Sequence, residues 1–329
     1  MRDDVPTPEL RASTDVRIRV RAAALNHLDL FVLRGLPGVT IVPPWIVGAD
    51  ACGVVDSIGK DVTNVAPGDV VVINPGISDR TCEFCKAGEH SLCVRYKLLG
   101  EHLSGTVADY IVVPSTNARA IPGAIDAPVA AGFPLVTLTA WRMVHTRAEI
   151  RRGERVLIWG IGGGVATAAL QICKQAGGEV WVTSTNEEKL ARAKELGADH
   201  VLHSSDDVPA LIRQATDKAG VDVVIDDVGQ STWSRSIQAL GRRGRLVTCG
   251  ATSGPLVDTD VRRVFWNQLT ILGSTMGNDS EFDAIVGELR AERLLPPIDS
   301  VFPLTEGRAA FERLASGKQF GKVVITLDS

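Results

Sequence analysis

From about residue 153 onward, short apolar runs alternate with amphipathic stretches: "RVLIWG", "VATAALQICKQAGG", "EVWVTS", "EEKLARAKELGAD" and "HVLH", then "GVDVVIDDVG", "WSRSIQALGRRG", "RLVTCGA", "RRVFWNQ" and "LTILGSTMG". Strands separated by helical connections pair in parallel, so this region is expected to be an α/β, doubly wound parallel sheet of six strands. Ligands of such sheets bind beyond the carboxyl ends of the strands.

Residues 15 to 135 carry a different period. "VRIRVRAAAL" alternates in twos, "GVVDSIGKDVTNVAPGDVVVINPG" gives two strands about a Gly/Pro-rich turn, and "GTVADYIVVP" gives another, so this part is expected to be β-rich. After residue 278 come a helix ("DSEFDAIVGELRAERL"), a strand ("VFPL"), a helix ("EGRAAFERLAS") and a closing strand ("GKVVITL"). A chain of 329 residues exceeds what one core usually organises, and two domains are expected. A net charge of -4, with no Lys/Arg run interleaved with aromatics, argues against nucleic acid as a partner. No segment approaches ~18 uninterrupted apolar residues and "MRDDVPTPEL" has no leader pattern, so a cytoplasmic protein without a membrane partner is expected.

In "RVLIWGIGGGVATAALQ" a strand runs into Gly160, Gly162, Gly163 and Gly164 and then a helix. Glycines let the backbone approach a pyrophosphate, while the helix N-terminus holds its charge. Val165 breaks the strict G-x-G-x-x-G spacing, but the position on the first strand of the alternating series points to a dinucleotide. An NAD site usually places Asp or Glu at the end of the next strand to accept from the ribose 2'-OH. Here that end reads "VTSTNEEKL". Ser184 and Thr185 do not repel a 2'-phosphate and Lys189 offers a positive charge, which favours NADP(H), although Glu187 and Glu188 lie nearby.

Six cysteines in a chain this long are not a disulfide framework. Cys52, Cys173 and Cys249 lie singly in apolar surroundings and read as core residues. "DRTCEFCKAGEHSLC" instead spaces Cys82, Cys85 and Cys93 as C-x2-C-x7-C, with Asp79 three residues ahead as a fourth ligand and His90 as an alternative. Four ligands with no open position would make a structural zinc site; the alternative is a site that has lost its metal and become an ordinary polar loop.

With the glycine turn, "GDVVV", the cysteine loop and "LGADHV" in this order, the whole chain resembles the medium-chain dehydrogenase/reductase superfamily. The resemblance implies a GroES-like catalytic domain over 1–135 and 278–329, and a Rossmann domain over 136–277. Zinc alcohol dehydrogenases of that family take catalytic-zinc ligands from positions matching Asn26, Ala49 and Leu135, none of which can serve here, so catalytic zinc is not expected. "NHLD" and "GAD" make the zinc-independent quinone oxidoreductase branch the nearest resemblance. It places Asn26, Asp29, Phe31 and Arg34 beside nicotinamide or substrate, with Thr139, Cys249 and Gly250 in the cofactor site.

Oxidising a simple alcohol requires removing a proton of very high pKa, a demand that a Lewis-acid metal lowers. Hydride addition to a quinone or an α,β-unsaturated carbonyl spreads the developing charge over a conjugated system, so hydrogen-bond donors and a proton source suffice. The chain is therefore expected to be an NADPH-dependent oxidoreductase acting on a quinone or activated alkene. Asn26 would donate to the carbonyl oxygen, Arg34 would stabilise an enolate or orient Asp29, and His102, or less readily His27, would carry the proton. The alternatives are a zinc-type alcohol or aldehyde dehydrogenase and a non-catalytic nucleotide-binding relative. Compared with the family, the chain is expected either to lack the usual first hairpin ahead of "VPTPEL" or to begin at a late start codon. Pairing through "ILGSTMG" at 271–277 would give a homodimer, or a homotetramer built on it.

Overall fold

The computed structural model describes residues 4–36 and 38–327. These divide into two units, one formed by residues up to Leu138 together with those from Met276 onward, the other by Thr139–Thr275.

In the first unit, the period-two run Asp15–Ala24 becomes the strand around which a seven-stranded sheet is built. It pairs antiparallel with Asp50–Ile58 on one side, and with Tyr110–Pro114 and Lys322–Thr326 on the other. Val16, Ile18 and Val20 point into a core shared with Val55, Val71, Ile73, Ile111 and Val113. A second apolar cluster holds Leu25 and Leu30 against Ala310, Leu314, Val323 and Ile325. It packs the helices His27–Arg34 and Gly307–Ala315 on the closing strand, which brings Asn26 beside Lys322 although 296 residues separate them.

The second unit is a six-stranded, wholly parallel sheet. Its spatial order is His200–His203, Glu179–Ser184, Arg155–Ile158, Val221–Asp226, Leu240–Thr248 and Thr270–Gly273. Chain order reverses between Arg155–Ile158 and Val221–Asp226, the switch point at which doubly wound sheets bind ligands. Leu157, Trp159, Trp181, Val224 and Leu246 fill the core. Cys52 and Cys173 are buried as expected, whereas Cys249, just beyond the end of a strand, is partly exposed and is not a core residue. Among the described residues no helix is long and apolar enough to cross a membrane.

Candidate active site, nucleotide turn and metal cluster

Asn26 caps the His27–Arg34 helix from an extended backbone, and its amide lies in a buried polar network of the first unit. The Lys322 ammonium donates to Asn26 Oδ1 at 2.5 Å and to Asp50 Oδ2 at 3.0 Å. Asn26 Nδ2 donates in turn to Asp50 Oδ2 at 3.0 Å, and the Leu135 N–H donates to Asp50 Oδ1 at 2.8 Å. Lys322 is 2 % exposed and Asp50 is fully buried, so this is an ion pair inside the core rather than on the surface. Thr106 Oγ1 donates to the Asp50 carbonyl at 2.8 Å and fixes the strand end. Neither Asp50 nor Lys322 was singled out from the sequence. A lysine opening the otherwise apolar "KVVIT" strand was the available signal.

Asp29, one turn into the helix, accepts from the Asn26 N–H at 2.7 Å and the Gly48 N–H at 2.9 Å. Burial pushes its carboxyl up to about 6, against the pull of those two N–H groups and of Lys322. The expected pairing with Arg34 is absent. Arg34 lies five residues on, about 140° further round the helix, and is exposed, so backbone donors hold Asp29 instead. His102 sits in the turn after Lys97–Leu98, where its Nδ1 accepts from the Leu98 N–H at 3.3 Å and Nε2 lies 3.7 Å from Glu101. That turn packs against the Gly48 segment: a Cβ at Gly100 would come within 2.7 Å of the Gly48 carbonyl oxygen.

In the second unit, the strand Arg155–Ile158 leads into the turn that carries the glycine cluster. Gly160 and Gly162 adopt φ of 68° and 115°, which side chains disfavour, and the helix Gly164–Gln175 starts immediately after Gly163. A Cβ at Gly163 would meet nothing closer than 3.9 Å, so the turn is open above the helix N-terminus and fits a pyrophosphate. Val165 lies in the first turn of that helix. At the next strand end, Ser184 is buried and its Oγ accepts from the Asn186 N–H at 3.1 Å, leaving Thr185 as the exposed hydroxyl. Lys189 is partly buried on the helix Glu187–Glu195 and its N–H caps onto Asn186 Oδ1. Thr139 is buried at the start of this unit. Cys249 and Gly250 follow the strand Leu240–Thr248, and a Cβ at Gly250 would come within 2.9 Å of the Asp227 carbonyl oxygen. Asp226 is a structural carboxylate: it accepts from the Val228 and Gly229 N–H groups and from Thr232 and Ser236. Burial first, then the Asp226 charge, push neighbouring Asp227 up to about 7.

In the cysteine loop, the ligand atoms of Asp79, Cys82, Cys85 and Cys93 all lie within 4.8 Å of one another. Cys93 Sγ accepts from the Asp79 and Arg95 N–H groups; the Cys85 N–H lowers the Cys82 thiol, whereas burial pushes the Cys85 thiol up to about 11. The Cys82 and Thr81 N–H groups hold the Asp79 carboxyl well below the usual carboxylate range. Three sulfurs and one carboxylate oxygen converging in this way fit a tetrahedral zinc ion with no open position. His90 faces away from the set, with Nδ1 accepting from the Asp279 N–H at 3.3 Å.

Comparison with known proteins matches residues 12–123 to the alcohol dehydrogenase GroES-like domain and residues 164–291 to zinc-binding dehydrogenase. A solved structure of an NAD-dependent alcohol dehydrogenase is 41% identical, with a TM-score of 0.95 over 99% of this chain and 95% of that one. The NAD-dependent alcohol dehydrogenase of Saccharolobus solfataricus is 30% identical over 98% of this chain and 94% of its own. The acryloyl-coenzyme A reductase of Metallosphaera sedula is 30% identical over 96% and 93%. The chain belongs to the zinc-type alcohol dehydrogenase-like group of the medium-chain dehydrogenase/reductase superfamily, and is an oxidoreductase of that type.

Proposed function

We propose that this protein is an NADPH-dependent reductase of quinones or α,β-unsaturated carbonyl compounds that works without catalytic zinc, and that zinc in the cysteine loop is structural. The observation that carries this reading is the donor set around Asp50. Asn26, Ala49 and Leu135 offer no zinc-ligating side chain, and both Asp50 oxygens are taken up by Asn26, Lys322 and the Leu135 N–H. These residues do not fit a catalytic zinc.

Bound NADPH supplies the hydride. Asn26 donates to the carbonyl oxygen as charge develops there, and Asp29 fixes the Asn26 and Gly48 backbone. His102 is the proton carrier: to give a proton from Nε2 its ring must hold hydrogen on both nitrogens, so Nδ1 then releases the Leu98 N–H. The 2'-phosphate is accommodated because the strand end at Ser184 and Thr185 carries no carboxylate, with Lys189 a turn further on. The name of the acryloyl-coenzyme A relative, which specifies an activated alkene, adds weight to conjugate reduction. Pairing of the Thr270–Gly273 edge strand with a second copy gives a homodimer.

The test is loss of NADPH absorbance with 2-cyclohexenone and 1,4-benzoquinone, beside NADH and beside alcohol oxidation with NADP+ and NAD+. NADPH-preferring reduction of either acceptor is expected. Alcohol oxidation with both acceptors inert would overturn the reading.

A further inference from the structure

Lys322 carries a buried ammonium paired with the equally buried Asp50. An ion pair sealed in a core costs desolvation that its mutual attraction seldom exceeds, and apolar residues of similar size usually leave a fold as stable. Gly132 makes room for the Lys322 stem: a Cβ there would come within 3.1 Å of Ile298 Cδ1 and 3.2 Å of Lys322 Cγ. An apolar residue would fit the same space, so packing alone does not account for the ammonium.

Its contacts point to Asn26. With Nζ donating to Oδ1, the Asn26 amide has one sensible orientation, because the reversed amide would set its NH2 donor against the ammonium. Lys322 therefore fixes which end of Asn26 faces where. One Nδ2–H is committed to Asp50 at 3.0 Å; the other reaches only the Ala24 carbonyl at 3.4 Å, beyond the usual 2.7–3.2 Å, and can be taken by a better-placed acceptor without the amide turning. A charged donor on the amide oxygen also draws electron density from the amide and strengthens its N–H donors.

We propose that Lys322 is a positioning residue: held by Asp50, its ammonium orients and polarises the Asn26 amide so that the second Nδ2–H donates to a substrate carbonyl oxygen. An internal cation thus supports the polarisation of the carbonyl. The inference rests on the carbonyl-binding part of the function proposed above, and not on which bond of the substrate is reduced.

The kinetic test uses the full chain and two variants. Lys322→Met with Asp50→Asn removes both charges together and leaves no unpaired buried ion. Lys322→Gln keeps a donor to Asn26 without the charge. The melting temperature of the double variant is expected to stay within a few degrees of wild type. With NADPH and 2-cyclohexenone, its KM should stay within about threefold while kcat falls by about tenfold, less than the ~100-fold or more for deleting an oxyanion donor outright. Lys322→Gln should fall between the two. A folded double variant with kcat within twofold of wild type would overturn the proposal.

A second readout needs no turnover: the 15N resonance of the Asn26 side chain, assigned by its loss in Asn26→Ala. Added with NADP+, the unreactive ketone cyclohexanone should shift it in wild type and not in the double variant. No shift in wild type, or the same shift in both, would overturn the proposal. Wild-type protein that reduces no enone but shows the shift would retire the reductase reading and leave the role of Lys322 standing.

Discussion

Asp227 is held in a place that disfavours its charge, and this fixes a direction for stability against pH. Its folded pKa, raised to about 7, lies above the unfolded value, so the native state holds the proton more tightly. The resulting contribution is fully present below about pH 4 and is lost as pH rises through about 7. Relative to wild type, Asp227→Asn should therefore gain on the order of 1–3 kcal/mol between pH 5 and pH 8, a figure reduced because the residue is only partly buried. Urea unfolding at the two pH values reads this, and an offset that does not change with pH would contradict it. At this scale the sequence was partly legible. Asn26 and Asp29 stand in one short motif and meet through adjacent backbone, so proximity in the chain became proximity in space. Arg34 stands in that motif too, but helical rotation carries it to another face. The pairing of Asp50 with Lys322 was not legible because 272 residues separate them, and only sheet closure brings them within 3.0 Å.

The cysteine loop was the most legible element, because ligand spacing is a local property. A four-residue helical turn, Glu83–Lys86, and the backbone bonds of Asp79 and Cys93 set the donors before any distant contact is made. Purified protein is expected to carry about one zinc per chain, held by thiolates whose binding free energy is folding free energy. Cys82→Ser should lose that zinc, and Asp79→Ala should hold it more weakly. Either change should lower the melting temperature by roughly 5 °C or more, while NADPH affinity in the other unit is retained. Full zinc content in Cys82→Ser, by elemental analysis, would remove the metal from this loop. The short helix His27–Arg34 was not read from the sequence, for a physical reason: eight residues are too few to be stable alone, and it exists by packing Leu30 against the closing strand.

On the scale of the whole molecule, the parallel sheet was legible because six apolar runs at regular spacing leave few other topologies. Closure of the β-rich unit by the last strand came only through the family resemblance, since period and spacing do not reveal which distant strands pair. The segment that includes the sheet edge also carries exposed apolar side chains, with Leu256, Val261, Phe265 and Trp266 each more than half exposed and Ile271 partly so. The proposed homodimer is expected to appear in sedimentation velocity and to be lost in Trp266→Glu combined with Ile271→Lys; a wild-type monomer would contradict the proposed dimer, and an unchanged dimer in the variant would place the interface elsewhere. The central claim, that donors without catalytic zinc direct hydride to a conjugated system, is tested most directly by isotope placement. Wild-type protein would be given NADPH deuterated at the transferable C4 position, with 2-cyclohexenone, and the product analysed by NMR. Deuterium at the β-carbon of cyclohexanone is the expected result; deuterium on the carbinol carbon of 2-cyclohexenol would contradict it.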